Sequence, residues 1–176
     1  MRTLFYDDSL DGLGSPSLFL AGPTARGVPR TPWRARALEL LAQAGFAGDV
    51  LVPEFREPRD DSVERVFGKG TSPVPGMSVT SFNILTWETA GIERSQRVLF
   101  WMPFEVREQT DPRSLPGFTT RAEVGRELAR APGRVTLGMP KGAVSGGHIR
   151  FHAARAEVRV WLTLEDTVAA ALAALR

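Results

Sequence analysis

The sequence predicts an α/β fold, a five-stranded parallel sheet with helices on both faces, and three observations predict it. Short, largely apolar runs of strand length recur at Ser17–Ala21, Asp49–Pro53, Arg97–Met102, Arg134–Pro140 and Glu157–Leu162. Segments with helical periodicity separate most of them, and such alternation is the mark of βαβ units. The runs are apolar on successive residues instead of alternate ones, which a strand needs when both its faces are buried between helical layers.

Residues Met1–Ser15 are ambiguous: Leu4, Phe5 and Tyr6 fit a short edge strand, whereas Asp7, Asp8, Gly12 and Gly14 fit a flexible lead-in without assigned function. SLFLA, Ser17–Ala21, ends in Gly22-Pro23 and reads as a buried strand. After it, GPTARGVPR leads to the helix TPWRARALELLAQAG, with Thr31 at the N-cap, Pro32 at the first helical position and Gly45 as the stop. That loop can cradle an anion, with Arg26 or Arg30 facing a phosphate; equally, its arginines fit a solvated surface. It has neither the P-loop nor the GxGxxG pattern.

Asp49–Pro53 gives the second strand, and the polar stretch Glu54–Val79, with Pro58, Pro73 and Pro75, reads as a pocket wall or lid, with disorder as the alternative expectation. Ser81–Gln96 then has the apolar face of a helix in Ile84, Leu85, Trp87 and Ile92. Trp87 reads as core or pocket lining, and Glu88 beside it reads on its own as a solvated helix charge. Following the third strand come a charged loop, Pro103–Pro116, a helix over Thr120–Ala131, and the fourth strand after Pro132-Gly133. Ile149–Ala153 fits no class. The fifth strand precedes a helix over Leu164–Leu175, capped by the box Thr163-x-x-Asp166. For five strands joined by right-handed crossovers the natural order is the flavodoxin-like 2-1-3-4-5, with ligands bound between strands 1 and 3 at their carboxyl ends.

Composition narrows the chemistry. At 176 residues and 43% hydrophobic the chain suits one domain spanning residues 1–176. Its 22 basic and 20 acidic residues are scattered, which argues against a nucleic-acid partner. Without cysteine there are no disulfides, thiolate metal sites or cysteine nucleophiles, and His148 and His152 alone make a histidine-rich metal site an unlikely expectation. Neither a signal peptide nor a membrane-spanning run is expected, so a cytoplasmic location is.

The stretch on which the chain centres is PGFTTRAEVGR, Pro116–Arg126. Pro116-Gly117 is turn punctuation, Thr119 or Thr120 suits an N-cap, and Gly125 allows close backbone approach, so a helix begins here with Glu123 in its first turn. Two readings of Glu123 stand side by side. Thr120-x-x-Glu123 is a capping-box pattern, in which the carboxylate only satisfies a backbone amide. Alternatively Glu123 is a reactive carboxylate at the carboxyl end of a sheet.

Several blocks bear on that choice: FLAGP at Phe19–Pro23, PWR at Pro32–Arg34, VLVPE at Val50–Glu54, Trp87-Glu88, VLFWMP at Val98–Pro103, and PGFTTRAEVGR. In this order, from about Ser17 to Pro140, the chain resembles the nucleoside 2-deoxyribosyltransferase-like family. The resemblance implies a Rossmann-like, flavodoxin-like fold, no cofactor, a homo-oligomer, and transfer of a 2-deoxyribosyl group between nucleobases through a covalent glycosyl-enzyme. The family nucleophile, a glutamate in an E-x-G motif opening a helix, falls on Glu123. An acid that interacts with the nucleobase falls near Glu88. The expected substrate contacts are Gly22, Pro23, Thr24, Arg26, Trp87, Pro103, Phe118, Thr119 and Thr120, and the expected partners a nucleoside or nucleotide and a free base.

The chain also departs from the family. Phe19 has no hydroxyl to orient the nucleophile, Tyr6 stands far from the motif in sequence, and the Pro103–Pro116 insertion leaves another acid, Glu105 or Asp111, unassigned. A lone carboxylate attacking an anomeric carbon needs no metal, since it stabilises an oxocarbenium-like transition state and then forms an ester. If water resolves that ester, the same site is an N-glycoside hydrolase; if the chemistry is lost, it is a nucleotide-binding domain.

Overall fold

The computed structural model describes residues 1–24, 31–57, 61–103, 117–143 and 146–176, with the side chain of Phe118 excepted. Its strands are β1 (Arg2–Leu4), β2 (Ser17–Ala21), β3 (Asp49–Leu51), β4 (Arg97–Trp101), β5 (Val135–Gly138) and β6 (Val160–Trp161). Its helices are α1 (Pro32–Gln43), α2 (Ser62–Phe67), α3 (Val79–Arg94), α4 (Phe118–Arg130), α5 (Gly147–Arg155) and α6 (Leu164–Ala173). All strand pairs are parallel, in the order β1-β3-β2-β4-β5-β6.

The sheet therefore has six strands where the sequence predicts five. The extra one is β1, laid outside β3 at the edge, and the other five keep the expected relative order. Three residues with a polar start carry little periodic signal, and side chains fasten them: Arg2 Nε donates to Asp49 Oδ1 at 2.8 Å, opposite it in register. Gly14 N–H donates to the other Asp49 oxygen at 2.6 Å. These bonds, that from Arg2 foremost, hold the Asp49 pKa below the usual carboxylate range.

β2 and β4 are the adjacent central strands, in register from Leu18 opposite Arg97 to Ala21 opposite Phe100. Their apolar runs divide by strand alternation. Phe19, Ala21, Val98 and Phe100 pack with Ile92 of α3 and with Val124 and Leu128 of α4. Leu18, Leu20, Leu99 and Trp101 pack with Ala37 and Leu41 of α1 and with Val168 and Ala171 of α6. Burying each large aliphatic side chain is worth about 1.5–3 kcal/mol, so Leu18, Phe19, Leu20 and Ala21 are each committed to one layer or the other, while Ser17 is held by hydrogen bonds with Gln96.

Helix starts follow local chemistry. Thr31 and Pro32 occupy the expected positions, although the Thr31 side chain makes no cap bond. Thr163 Oγ1 accepts from the Asp166 N–H at 3.1 Å, as its sequence pattern predicts. α3 begins two residues earlier than expected because Ser78 takes the cap, accepting from Ser81 N–H at 3.1 Å. The stretch Glu54–Val79 contains α2, pinned to α3 where Asn83 Nδ2 donates to the Phe67 carbonyl at 2.8 Å. Ile149–Ala153, which fits no class by sequence, lies in α5, with Ile149 and Ala153 buried one turn apart. β6 is only two residues long.

α4 starts differently from the sequence expectation. Its N-cap is Gly117, at φ 65°, a left-handed conformation that glycine adopts without steric cost and threonine does not. The helix is thus under way at Phe118, Thr120 is its third residue, and Glu123 lies in its second turn, so the capping box does not form. Gly125 faces open space: a Cβ there would meet nothing within 4 Å, and the expected close backbone approach is absent among the described residues.

Candidate active site

α3 runs down towards the amino end of β4, and α4 begins beyond its carboxyl end. Glu88 lies in the middle of α3 and Glu123 in the second turn of α4, both half-buried. Burial pushes the Glu123 carboxyl up to about 7, and the charge of Glu88 adds to that push. Glu88 is raised as well, first by burial, against the opposing influence of Tyr6 and Arg34. A carboxyl raised to about 7 beside a second carboxyl that is itself raised can hold a proton near neutral pH, an arrangement typical of acid–base sites.

Tyr6 completes the group, although by sequence it stands far from the motif. The chain leaves β1 and brings the phenol into a nest of rings: Phe55, Phe67 and Trp87 lie edge-on to it, with centroids 5.1–5.3 Å away. Its hydroxyl donates a short hydrogen bond to Glu88 Oε1. Burial and the Glu88 charge push the phenol pKa far up, so it stays a donor. Trp87 Nε1–H donates to the Asp8 carbonyl at 3.2 Å, stapling the same N-terminal segment to α3.

The positive side of the site is Arg34 of α1, 1% exposed. Its Nη1 donates to Glu54 Oε1 and to Thr24 Oγ1, both at 2.9 Å, and its Nη2 donates to the Gly22 carbonyl at 2.7 Å. Arg34 therefore fixes the loop after β2 while its charge lowers the proton affinity of both Glu88 and Glu123. Gly22 is required there: a Cβ would come within 2.5 Å of the Trp101 carbonyl and 2.6 Å of the Trp33 ring. Pro23 is held through its carbonyl, which accepts from Trp33 Nε1–H at 3.0 Å.

A third carboxylate holds the helices in place. Glu127, one turn beyond Glu123 and fully buried, accepts from Arg126 Nε at 3.1 Å and from Arg134 Nη2 at 3.0 Å. Arg134 also donates to the carbonyls of Ile92, Glu93 and Ser95 at the end of α3. One guanidinium thus ties α4 to α3 a turn below the two site carboxylates.

Of the residues named from sequence, Glu88, Glu123 and Trp87 come together, and Gly22, Pro23 and Thr24 are bound to the arginine whose charge acts on both carboxylates. Pro103 follows β4 half-buried; Thr119 is exposed and Thr120 buried on α4. Arg26, Glu105 and Asp111 lie outside the described residues, as does the side chain of Phe118. Tyr6, Arg34, Glu54, Glu127 and Arg134 carry parts that sequence reading did not assign. The faint signals were the chain's single tyrosine, the arginine inside PWR and the glutamate closing VLVPE.

Among the described residues no group of three or more metal-ligating side chains forms, and no helix is long and apolar enough to cross a membrane. A groove at the amino ends of β4 and β5, lined by Arg97, Val135, Thr136, Glu157 and Trp161, holds one carboxylate and not a pair. No family model matches the chain, and no curated protein matches it.

Proposed function

We propose that the chain is a flavodoxin-like enzyme of the nucleoside 2-deoxyribosyltransferase type, acting on the N-glycosidic bond of a nucleoside. The observation that carries this reading is the pair Glu88–Glu123, both raised in proton affinity, beside the half-buried Tyr6. The ordered sequence blocks support it, and the failure of the capping box removes the competing role for Glu123.

In this reading the Glu123 carboxylate attacks C1′ of the sugar as the C1′–N bond breaks, giving a glycosyl ester and releasing the base. The base must leave protonated, and Glu88 is the group that exchanges a proton with it, held in orientation by Tyr6. The nitrogen of a second base then attacks C1′ from the same side as its N–H proton passes to Glu88, which frees Glu123 and restores the original configuration. Neither step calls for a metal.

The test is incubation with a 2′-deoxynucleoside, with and without a different free base, and chromatography of the products. A new nucleoside only when the second base is present supports transfer. Free sugar and base in both reactions assign the same site to hydrolysis. An intact substrate across purine and pyrimidine deoxynucleosides overturns the reading.

A further inference from the structure

α5 carries a pair of histidines that the site above does not use. His148 and His152 are exposed, four residues apart on one helix face, and their Nε2 atoms stand 3.3 Å from each other. At that distance one ring's Nε2–H can donate to the other's Nε2 lone pair, and the same spacing lets both lone pairs converge on one metal ion instead. A tetrahedral zinc ion with Zn–N bonds of about 2.0–2.1 Å holds its nitrogens roughly 3.3–3.4 Å apart. The histidines therefore already stand at the spacing of a chelate.

We propose that His148 and His152 bind a divalent transition-metal ion of the zinc, nickel or copper class through their Nε2 atoms. Imidazole favours these ions over hard cations such as magnesium. The surroundings leave room for the charge. Arg150 on the same helix turns its guanidinium away, donating to the carbonyls of Met139 and Pro140 at 3.1 and 2.9 Å. Arg155 lies over the Phe151 ring, 5.8 Å from its centroid. His152 also lines an open groove with Arg155 of its own helix and Gly125, Leu128 and Ala129 of α4, which gives water or a further ligand access to the remaining coordination positions. Binding spans the first two turns of α5.

The test is calorimetric titration of the whole chain with zinc chloride at pH 7.5, paralleled by magnesium chloride and by the variants His148→Gln and His152→Gln. Circular dichroism verifies that each variant is folded. One zinc ion per chain is expected, with at least tenfold weaker binding in either variant and no magnesium binding. Zinc affinity unchanged in the variants, equal binding of magnesium, or no binding at pH 7.5 would overturn the proposal. None of these readouts depends on glycosyl transfer, so this site and the proposed function stand or fall separately.

Discussion

Two successive turns of α4 carry carboxylates on the same face, and they could hardly differ more. Glu127 is fully buried yet sits between two guanidinium groups, one of which also gathers three carbonyls of α3. Glu123 is less buried, has no hydrogen bond or ion pair among the described residues, and faces the like charge of Glu88. Depth of burial does not decide what a carboxylate costs; its partners do. The lower turn is equipped to hold the helices together, while the upper turn keeps a half-buried acid without a hydrogen-bond partner among the described residues, as a reactive group requires.

The sharpest way to break this contrast is Glu123→Gln. If the upper carboxylate is the nucleophile, the amide cannot form a glycosyl ester, and kcat/KM should fall by several orders of magnitude while the circular dichroism spectrum is kept. Near-normal turnover in a preparation free of the parent enzyme would remove Glu123 from the chemistry. For the lower turn, the large effect should be on stability. Glu127→Ala leaves Arg134 and Arg126, both partly exposed, without their carboxylate, and should cost about 2–3 kcal/mol in urea denaturation. A loss below about 1 kcal/mol would mean that the pairing with Arg134 holds nothing in place.

The two turns should also differ in the sign of their effect on stability. Glu123 titrates near 7 in the fold against 4.5 as its ordinary value. Between those values the folded protein keeps a proton that the unfolded chain releases, so stability falls as pH rises through the window, and the full cost is present above 7. Glu123→Gln removes that cost. It should stabilise the protein at pH 8 by about 2–3 kcal/mol, after discounting for partial solvent access, and give no gain below pH 4.5. Measured with Glu127→Ala at pH 8, the pair should move in opposite directions, and a destabilised Glu123→Gln variant would contradict the assignment of strain to the upper turn.

Little in the sequence separates these two glutamates. Both fit the periodicity of one helix, and the arginine that distinguishes them, Arg134, joins α4 to the carbonyls of another helix, a contact no local pattern encodes. The central sheet was legible because burial on both faces writes itself as continuous apolar runs, as in SLFLA and RVLFW. β1 was ambiguous because three residues at an edge, held through Arg2 and Asp49, leave no such run. The start of α4 was misread because Thr120-x-x-Glu123 imitates a capping box, whereas the left-handed Gly117 starts the helix three residues sooner. Tyr6 escaped because its partner, Glu88, lies 82 residues away and the fold alone joins them.

The finest test concerns how the upper turn acquires its pKa. Burial is the first cause and Glu88 the second, so removing the Glu88 charge should relieve part of the shift and leave the rest. An enzyme that needs Glu123 ionised should show a limb in kcat/KM that rises with pH around 7. In Glu88→Gln the remaining activity should show that limb displaced to lower pH by up to about one unit, corresponding to roughly 1.4 kcal/mol, yet still above the ordinary carboxylate value. Tyr6→Phe should act in the same direction and less. Losing the phenol's hydrogen bond raises the proton affinity of Glu88, which then spends more of the pH range neutral and repels Glu123 less. Because only the position of the limb is read, lower turnover in either variant does not obscure the outcome. A limb that stays at 7 in both would mean that the two carboxylates titrate independently, and that burial alone sets the upper one.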